Sequence, residues 1–182
     1  MDMALLIARL IVGLGFAAHG AQKLFGWFRG PGLSETAVFF EGLGFSPGRV
    51  FATAAGVSEL TGGMLIATGA CGAAGPALVI ASMVVAILIV HLDNGFFAES
   101  NGFELPLVYI AVALCLAMAG PGMYSLDWLA GASYFSRPAV AWSLVTLAVA
   151  GGLINVAFRR KPFTLSTVQP AIVRTVHSSV RA

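Results

Sequence analysis

Six ionisable side chains interrupt stretches of sequence that are otherwise strongly apolar. They are Arg9, His19, Lys23, Glu59, His91 and Glu104. An ionisable group inside an apolar helix costs free energy in a membrane, so it usually faces a bundle interior or a cavity and marks a functional site. We therefore take these six residues as the candidate site.

Proton chemistry suits three of them. Histidine changes its charge near neutral pH, and a glutamate inside a helix bundle can relay a proton. The candidate catalytic residues are His19, His91 and Glu59. The candidate substrate-binding residues are Lys23, Arg9 and Glu104. No metal site is predicted, because the two cysteines lie far apart without a CxxC motif or a neighbouring histidine.

Structural roles compete with these assignments. Lys23 has the long side chain that anchors a helix end at the membrane interface. His19 could simply hydrogen-bond to a neighbouring helix, and His91 could cap a helix end against the helix dipole. The residue types alone leave both possibilities open.

The depth of each group follows from the helical rise of 1.5 Å per residue. If the first helix ends at Leu24 and the second begins at Val50, His19 lies about 7 Å deep and Glu59 about 13 Å deep. On the same scale Arg9 lies about 22 Å deep. An arginine side chain spans roughly 6 Å, so we expect Arg9 to pair with Glu59 if the two helices are neighbours. The depths also predict a pocket lined by His19, Lys23, Glu59 and His91.

The composition of the whole chain indicates whether these helices lie in water or in a lipid bilayer. Of its 182 residues, 58% are hydrophobic and 10% are charged, and the mean hydropathy is +0.90. Soluble domains have about 25% charged residues. Ten Lys and Arg are too few for membrane anchoring and a phosphate-binding surface together, so nucleic-acid binding is excluded. We predict an all-α integral membrane helical bundle in a lipid bilayer.

Five apolar stretches approach the length of about 20 residues that a membrane span requires. They cover residues 5–24, 50–68, 73–92, 105–120 and 139–158. Residues 36–45 are too short and too rich in glycine to span, so we predict an interfacial or re-entrant segment there. The predicted organisation is a bundle over 1–130, an additional transmembrane helix over 131–160, and a basic, disordered tail over 161–182.

Small residues predict that the first two spans are in close contact. At helical spacings from Glu59 lie Ala52, Ala55, Gly56, Gly62, Gly63 and Ile66. The first span has a matching small face at Gly13, Ala17 and Gly20. Such faces let membrane helices approach closely. A smaller ridge at Ala111, Cys115 and Ala119 is also expected to pack.

The distribution of Lys and Arg predicts the orientation in the membrane. With five spans, one side holds Lys23, Arg29, Arg49, Arg159, Arg160, Lys161, Arg174 and Arg181. The opposite side holds Arg137, together with Arg9 if its side chain extends outward. Positive charge favours the cytoplasm, so we expect the C-terminus inside and the N-terminus outside.

Four stretches of the sequence carry a family resemblance. The run RLIVGLGFAAHGAQKL at residues 9–24 and the run GVSELTGGML at 56–65 resemble the first- and second-helix signatures of the DoxX family. His91 and the run NGFELPLVY at 101–109 resemble the segment that joins its third and fourth helices. The run YSLD at 124–127 resembles its usual close. The likeness covers about residues 4–130.

This resemblance implies a DoxX-like four-helix core, to which the chain adds a fifth C-terminal transmembrane helix. The family is associated by name with DoxD, a subunit of an archaeal thiosulfate:quinone oxidoreductase. The leading hypothesis is therefore a membrane subunit of a quinone- or sulfur-compound-linked redox system, with an oxidoreductase activity that the sequence does not establish.

The cofactor and partner predictions follow from this hypothesis. A quinone is the candidate cofactor, because the sequence has no CxxCH heme motif, no flavin GxGxxG motif and no iron–sulfur cysteine set. Electrons would then pass to a diffusible carrier or to other membrane or redox subunits.

Two other functions remain open. One is a non-catalytic scaffold or assembly subunit, in which Gly151 and Gly152 give the fifth helix a surface for docking another membrane protein. The other is a small-solute transporter, which is disfavoured because no inverted repeat is apparent between the two halves of the chain.

Overall fold

A computed structural model describes residues 2–132 and 134–160 of the chain. Its seven α-helices are α1 (Asp2–Phe25), α2 (Gly32–Gly42), α3 (Gly48–Thr68), α4 (Ala74–Ala86), α5 (Glu104–Ala119), α6 (Leu126–Leu129) and α7 (Pro138–Ala157). Helix α4 continues through a π-helical turn, Ile87–His91, and a 3-10 turn, Leu92–Asn94. Further 3-10 turns lie at Trp27–Arg29, Ala98–Ser100 and Tyr134–Ser136. No strand occurs in the described ranges, which confirms the all-α prediction.

Four helices in this part of the chain are long and apolar enough to cross a membrane: Asp2–Phe25, Gly48–Thr68, Ala74–Asn94 and Pro138–Ala157. Helix α5 is also apolar, but its 16 residues extend only about 24 Å. The five apolar stretches of the sequence therefore all form helices. The predicted tail at 161–182 lies outside the described residues.

The segment expected to be interfacial or re-entrant is helix α2. It has 11 residues, about 16 Å in length, so it does not span a bilayer. It begins at Gly32, four residues before the predicted start. The buried Thr36 fixes it beside α1, because its hydroxyl donates to the carbonyl of Gly32 at 2.7 Å and to that of Lys23 at 3.5 Å.

Helices α1 and α3 are antiparallel and touch through their backbones. A Cβ atom on Gly20 would lie 2.4 Å from the backbone N of Leu60, and one on Gly13 would lie 2.5 Å from that of Ala67. Gly63 meets α1 in the same way, since its Cβ would lie 2.4 Å from the backbone N of Ala17. The predicted contact between the small faces of the first two spans is therefore confirmed, except at Gly62. That residue faces α4, where its Cβ atom would lie 3.0 Å from that of Leu78.

The other long helices complete a bundle with two distinct ends. The apolar core joins Phe16, Ile66, Ile80, Leu116 and Val145, one residue from each long helix. Helix α7 lies against α4 at Gly152, where a Cβ atom would be 3.0 Å from the carbonyl O of Ala81. On α5 the core contact is made by Ala113, Leu116 and Ala117.

The ridge of Ala111, Cys115 and Ala119 does not pack against the described part of the chain. All three residues are exposed, so the packing expectation for Cys115 was wrong. The face of α5 that carries Leu116 turns toward the core and leaves Cys115 outside. In a bilayer this exposed face contacts lipid, whose tails accept small apolar residues as readily as a protein core does.

The close contact of α1 and α3 leads to a stability prediction with a matched control on the same helix. Gly20→Ala should destabilise the protein by about 1–3 kcal/mol, because the added methyl group collides with the backbone of α3. Gly15→Ala adds the same methyl group where nothing lies within 4 Å, so it should be neutral or slightly stabilising. Thermal unfolding in detergent measures both variants. Equal melting temperatures would contradict the close contact.

Candidate functional site

A cavity of about 730 Å³ lies at one end of the bundle. Its walls are the last turns of α1, α4 and α7, the first turns of α3 and α5, and helix α2 with the turn that follows it. Because neighbouring long helices alternate in direction, these five helix ends meet on the same side. The cavity collects side chains that lie more than 130 positions apart in the sequence, from Phe16 to Asn155.

Aromatic rings cover much of the cavity wall. They belong to Phe16, Phe39, Phe40, Phe45, Phe51 and Tyr109. Phe16 and Tyr109 meet edge to face with ring centroids 4.9 Å apart, and Phe45 and Phe51 are also 4.9 Å apart. Such a wall suits an apolar or planar ligand.

Lys23 and Glu59 form an ion pair on the cavity wall. The Lys23 ammonium donates to Oε2 of Glu59. The Glu59 side chain is 6% exposed, whereas that of Lys23 is 29% exposed. The pair joins α1 to α3 and leaves the remaining ammonium N–H groups and the second carboxylate oxygen available to a ligand.

The predicted Arg9–Glu59 pair is wrong, and the register of α1 against α3 explains why. Gly20 lies opposite Gly56 and Leu60, and Gly13 lies opposite Gly63 and Ala67. Arg9 is therefore level with Ile66 and Gly69, about 10–15 Å along α3 from Glu59. Lys23, near the other end of α1, takes the glutamate instead.

Arg9 holds together the opposite end of the bundle. Its guanidinium donates to the carbonyls of Ile66 at 3.2 Å, Ala67 at 3.4 Å and Tyr124 at 2.8 Å, and also to that of Pro121. The last carbonyls of a helix have no partner within the helix, and Arg9 satisfies two of those of α3. Buried among these acceptors, it does not line the cavity, so the substrate-binding role proposed for it is not supported by its position.

Asp127 completes this end of the bundle. Its carboxylate accepts hydrogen bonds from the backbone N–H groups of Cys71 at 2.9 Å and Gly72 at 2.7 Å. The N-terminus of the adjoining helix α6 is capped by Ser125, whose hydroxyl oxygen accepts from the N–H of Trp128 at 3.2 Å. Arg9 and Asp127 together fix the loops between α3 and α4 and after α5.

His19 lies on the cavity wall one helical turn before Lys23. Its ring centroid is 6.3 Å from that of Phe16, in an edge-to-face arrangement. Within the described ranges its imidazole forms no hydrogen bond, and the side chain is exposed in the open cavity. The structural alternative, a hydrogen bond to a neighbouring helix, is therefore not what the described residues show.

His91 reaches the cavity from the π-helical turn that ends α4. Its Nδ1 lies 2.7 Å from the carbonyl O of Asn101. A carbonyl oxygen only accepts, so Nδ1 is the protonated nitrogen and donates this bond. In the neutral ring Nε2 then carries the lone pair and is an acceptor for a ligand hydroxyl. Single π-helical turns often occur at functional sites.

Glu104 is beside the cavity but does not line it. Its Oε2 accepts from the backbone N–H of Ala98 at 2.9 Å, which fixes the loop before α5. The backbone N–H of Glu104 donates to the carbonyl of Phe96 at 2.9 Å. Leu105 and Pro106, which follow it, do line the cavity. Glu104 therefore shapes the wall, and its predicted substrate contact stays a prediction.

Sequence reasoning missed several polar groups of the wall. Ser58 and Ser82 lie on α3 and α4 with their hydroxyl oxygens 3.4 Å apart. Asn155 lies near the end of α7, inside an apolar span. A polar residue in such a span is the same signal that identified Glu59, so Asn155 could have been found. The aromatic rings of α2 gave no comparable signal.

The family comparison confirms the resemblance over the first half of the chain. Residues 4–92 match the family model described as DoxX. These residues belong to the DoxX family. The DoxX match runs from α1 to the end of α4 and contains His19, Lys23, Glu59 and His91. Helices α5 and α7 lie outside it.

Two further comparisons concern individual proteins. A curated Haemophilus influenzae protein described as "Uncharacterized protein" is 38% identical over 58 residues, which are 32% of this chain and 36% of that protein. The chain thus matches about a third of the length of this relative. No solved structure matches the chain.

The Lys23–Glu59 ion pair predicts thermodynamic coupling, and Arg9 provides the control. Lys23→Met should destabilise the protein by about 3 kcal/mol, because it leaves the buried Glu59 carboxylate without its cation. The double variant with Glu59→Gln should lose less than the sum of the two single losses. Detergent melting temperatures measure this cycle.

The same cycle built on Arg9→Met with Glu59→Gln should be additive, because the two residues share no partner in the described structure. Additive losses for Lys23 with Glu59 would contradict the ion pair. Coupling of Arg9 with Glu59 would contradict the register.

Proposed function

We propose that this chain is a DoxX-type membrane subunit of a redox system and that its cavity binds the headgroup of a quinone. The observation that supports the proposal is the cavity itself, which combines aromatic walls with a few convergent polar groups. Sites for small molecules and cofactors have volumes of about 300–1,000 Å³ and this mixture of surfaces. The cavity volume of about 730 Å³ lies within that range.

The charge balance of the cavity favours a neutral ligand over an anionic sulfur compound. Among the described lining residues, Lys23 is the only lysine or arginine, and Glu59 compensates its charge. A doubly charged anion such as thiosulfate would find no uncompensated cation there, and burying it would be costly. A quinone needs only hydrogen bonds at its two carbonyl oxygens, and the Lys23 ammonium can donate one.

The position of the cavity suits a ligand that dissolves in the bilayer. Lining residues on four elements remain exposed at the protein surface: Phe39, Ala54, Leu105 and Gly151. They lie in the half of the bundle where α1, α4 and α7 end and α3 and α5 begin. The headgroup of a quinone can enter the cavity past these residues while its isoprenoid tail stays in the lipid.

Histidines supply the proton partners in this proposal. His91 presents Nε2 as an acceptor, the arrangement required to take a proton from a hydroquinone hydroxyl. His19 lies on the same wall. Electrons pass to a diffusible carrier or to a partner subunit, since this sequence contains no cofactor-attachment motif.

A cavity-filling variant tests quinone binding directly. Ala55→Phe places a ring inside the cavity and should weaken binding of decylubiquinone at least tenfold. Ala111→Phe adds the same ring on the exposed face of α5, outside the cavity, and should bind like the parent protein. Isothermal titration in lipid nanodiscs measures the dissociation constants.

Absence of saturable decylubiquinone binding to the parent protein would contradict the proposal. Competition by millimolar thiosulfate would instead identify an anion site.

We further propose that the cavity opens toward the cytoplasm. In the described ranges its end of the bundle carries Lys23, Arg29, Arg49, Arg159 and Arg160, whereas Arg9 and Arg137 lie toward the other end. Positively charged loops remain cytoplasmic. Because helices α1, α3, α4, α5 and α7 alternate in direction, this orientation places the N-terminus outside.

Fusions to the C-terminus test the orientation. A green fluorescent protein fusion should fluoresce, and an alkaline phosphatase fusion should be inactive, because the first folds in the cytoplasm and the second needs an oxidising compartment. The reverse pair of results would show that the cavity opens to the outside.

The scaffold hypothesis keeps only part of the surface on which it was based. Gly152 is buried against α4 of the same chain, whereas Gly151 is exposed and has nothing within 4 Å of its Cβ position. Half of the glycine pair is therefore used within the protein.

A further inference from the structure

Helix α7 lies outside the segment that matches the DoxX family, yet three of its residues line the cavity: Gly151, Gly152 and Asn155. We propose that α7 completes the ligand site and that the Asn155 side-chain amide is a specificity-determining contact to the quinone headgroup. This inference rests on the quinone-binding function proposed above. It assigns to the added helix a role in binding rather than in docking another protein.

The rotation of α7 is fixed by its contact with α4. A Cβ atom on Gly152 would lie 3.0 Å from the carbonyl O of Ala81 and 3.0 Å from the side chain of Val84. Residues three and four apart share a helix face, so this contact directs Asn155 toward the same side as Gly151 and Gly152. The observed lining agrees with that placement.

A second contact fixes the end of α7 to the turn after α2. The backbone N–H of Arg160 donates to the carbonyl of Gly44 at 2.8 Å, and Nε of Arg159 donates to the carbonyl of Leu43 at 2.7 Å. Leu43 and Phe45, on either side of Gly44, line the cavity. The end of α7 is therefore attached directly to another part of the cavity wall.

Glycine is required at position 44 for this attachment. Gly44 has φ +93°, which side-chain-bearing residues rarely adopt. A Cβ atom there would lie 2.0 Å from the carbonyl O of Arg160. Gly42, two residues earlier, has nothing within 4 Å of its Cβ position, so it offers a matched control.

The chemistry of Asn155 suits both redox forms of a quinone. Its amide N–H donates to a quinone carbonyl, and its amide oxygen accepts from a hydroquinone hydroxyl. Within the described residues this half-buried side chain forms no hydrogen bond. A polar group beside an apolar wall gains most when a ligand supplies its partner. Lys23, by contrast, only donates.

The experiment measures decylubiquinone binding to the full-length protein in nanodiscs. Asn155→Leu, which keeps the size but removes the amide, should weaken binding about tenfold, the factor expected from about 1.4 kcal/mol. Asn155→Gln should recover part of the loss. Thr146→Val removes a polar group from an exposed position of α7 outside the cavity and should bind like the parent.

Amide hydrogen exchange tests the attachment of α7 to the turn after α2, and it needs no ligand. In Gly44→Ala the amide of Arg160 should exchange faster than in the parent, because its acceptor is displaced. In Gly42→Ala its exchange should be unchanged. Exchange that is equal in both variants would overturn the attachment of α7.

The outcomes separate this inference from the proposed function. If the parent binds decylubiquinone and Asn155→Leu binds it equally well, the role of Asn155 is overturned and the quinone site stands. If the parent does not bind decylubiquinone, the quinone site fails and the role of Asn155 fails with it. Weaker binding with an unchanged melting temperature supports the inference.

Discussion

The backbone contact between α1 and α3 is the constraint on which the rest of the bundle depends. Gly13, Gly20 and Gly63 let the two helices approach to distances that any side chain would prevent. This contact fixes the register of the two helices. In that register, Lys23 reaches Glu59 at one end and Arg9 reaches the carbonyls of Ile66 and Ala67 at the other.

The two ends that result differ in what their charged side chains contact. At the Arg9 end, charged groups satisfy backbone atoms of loops and helix termini, so that end is closed by hydrogen bonds. At the Lys23 end, the charges compensate each other and leave an apolar cavity with polar groups on its wall. A neutral ligand can enter such a space without losing a strong interaction with water, whereas an anion cannot.

The sequence predicts some of these features because they depend on local periodicity. Apolar stretches gave the helices, small residues gave the face between α1 and α3, and helical depth brought His19, Lys23, Glu59 and His91 to one pocket. The predicted partner of Glu59 was wrong because the register of α1 against α3 decides which cation lies beside the carboxylate. A depth estimated from the sequence is not accurate enough to fix that register to within a few residues. The acceptors of Arg9 are backbone carbonyls of a helix end and of a loop, which no side-chain pattern reveals. The walls made by α2 and α7 depend on contacts across the whole chain, such as that of Gly44 with Arg160.

The π-helical turn at Ile87–His91 determines how the cavity responds to a change in the length of its helix. Such a turn holds one residue more than an α-helical turn and accommodates it locally. Deleting one residue there would let the helix relax to regular geometry while the segment beyond it kept its rotation. A deletion in the regular part, Ala74–Ala86, would instead rotate everything beyond it by about 100°. His91 would then leave the wall although its chemical identity was intact.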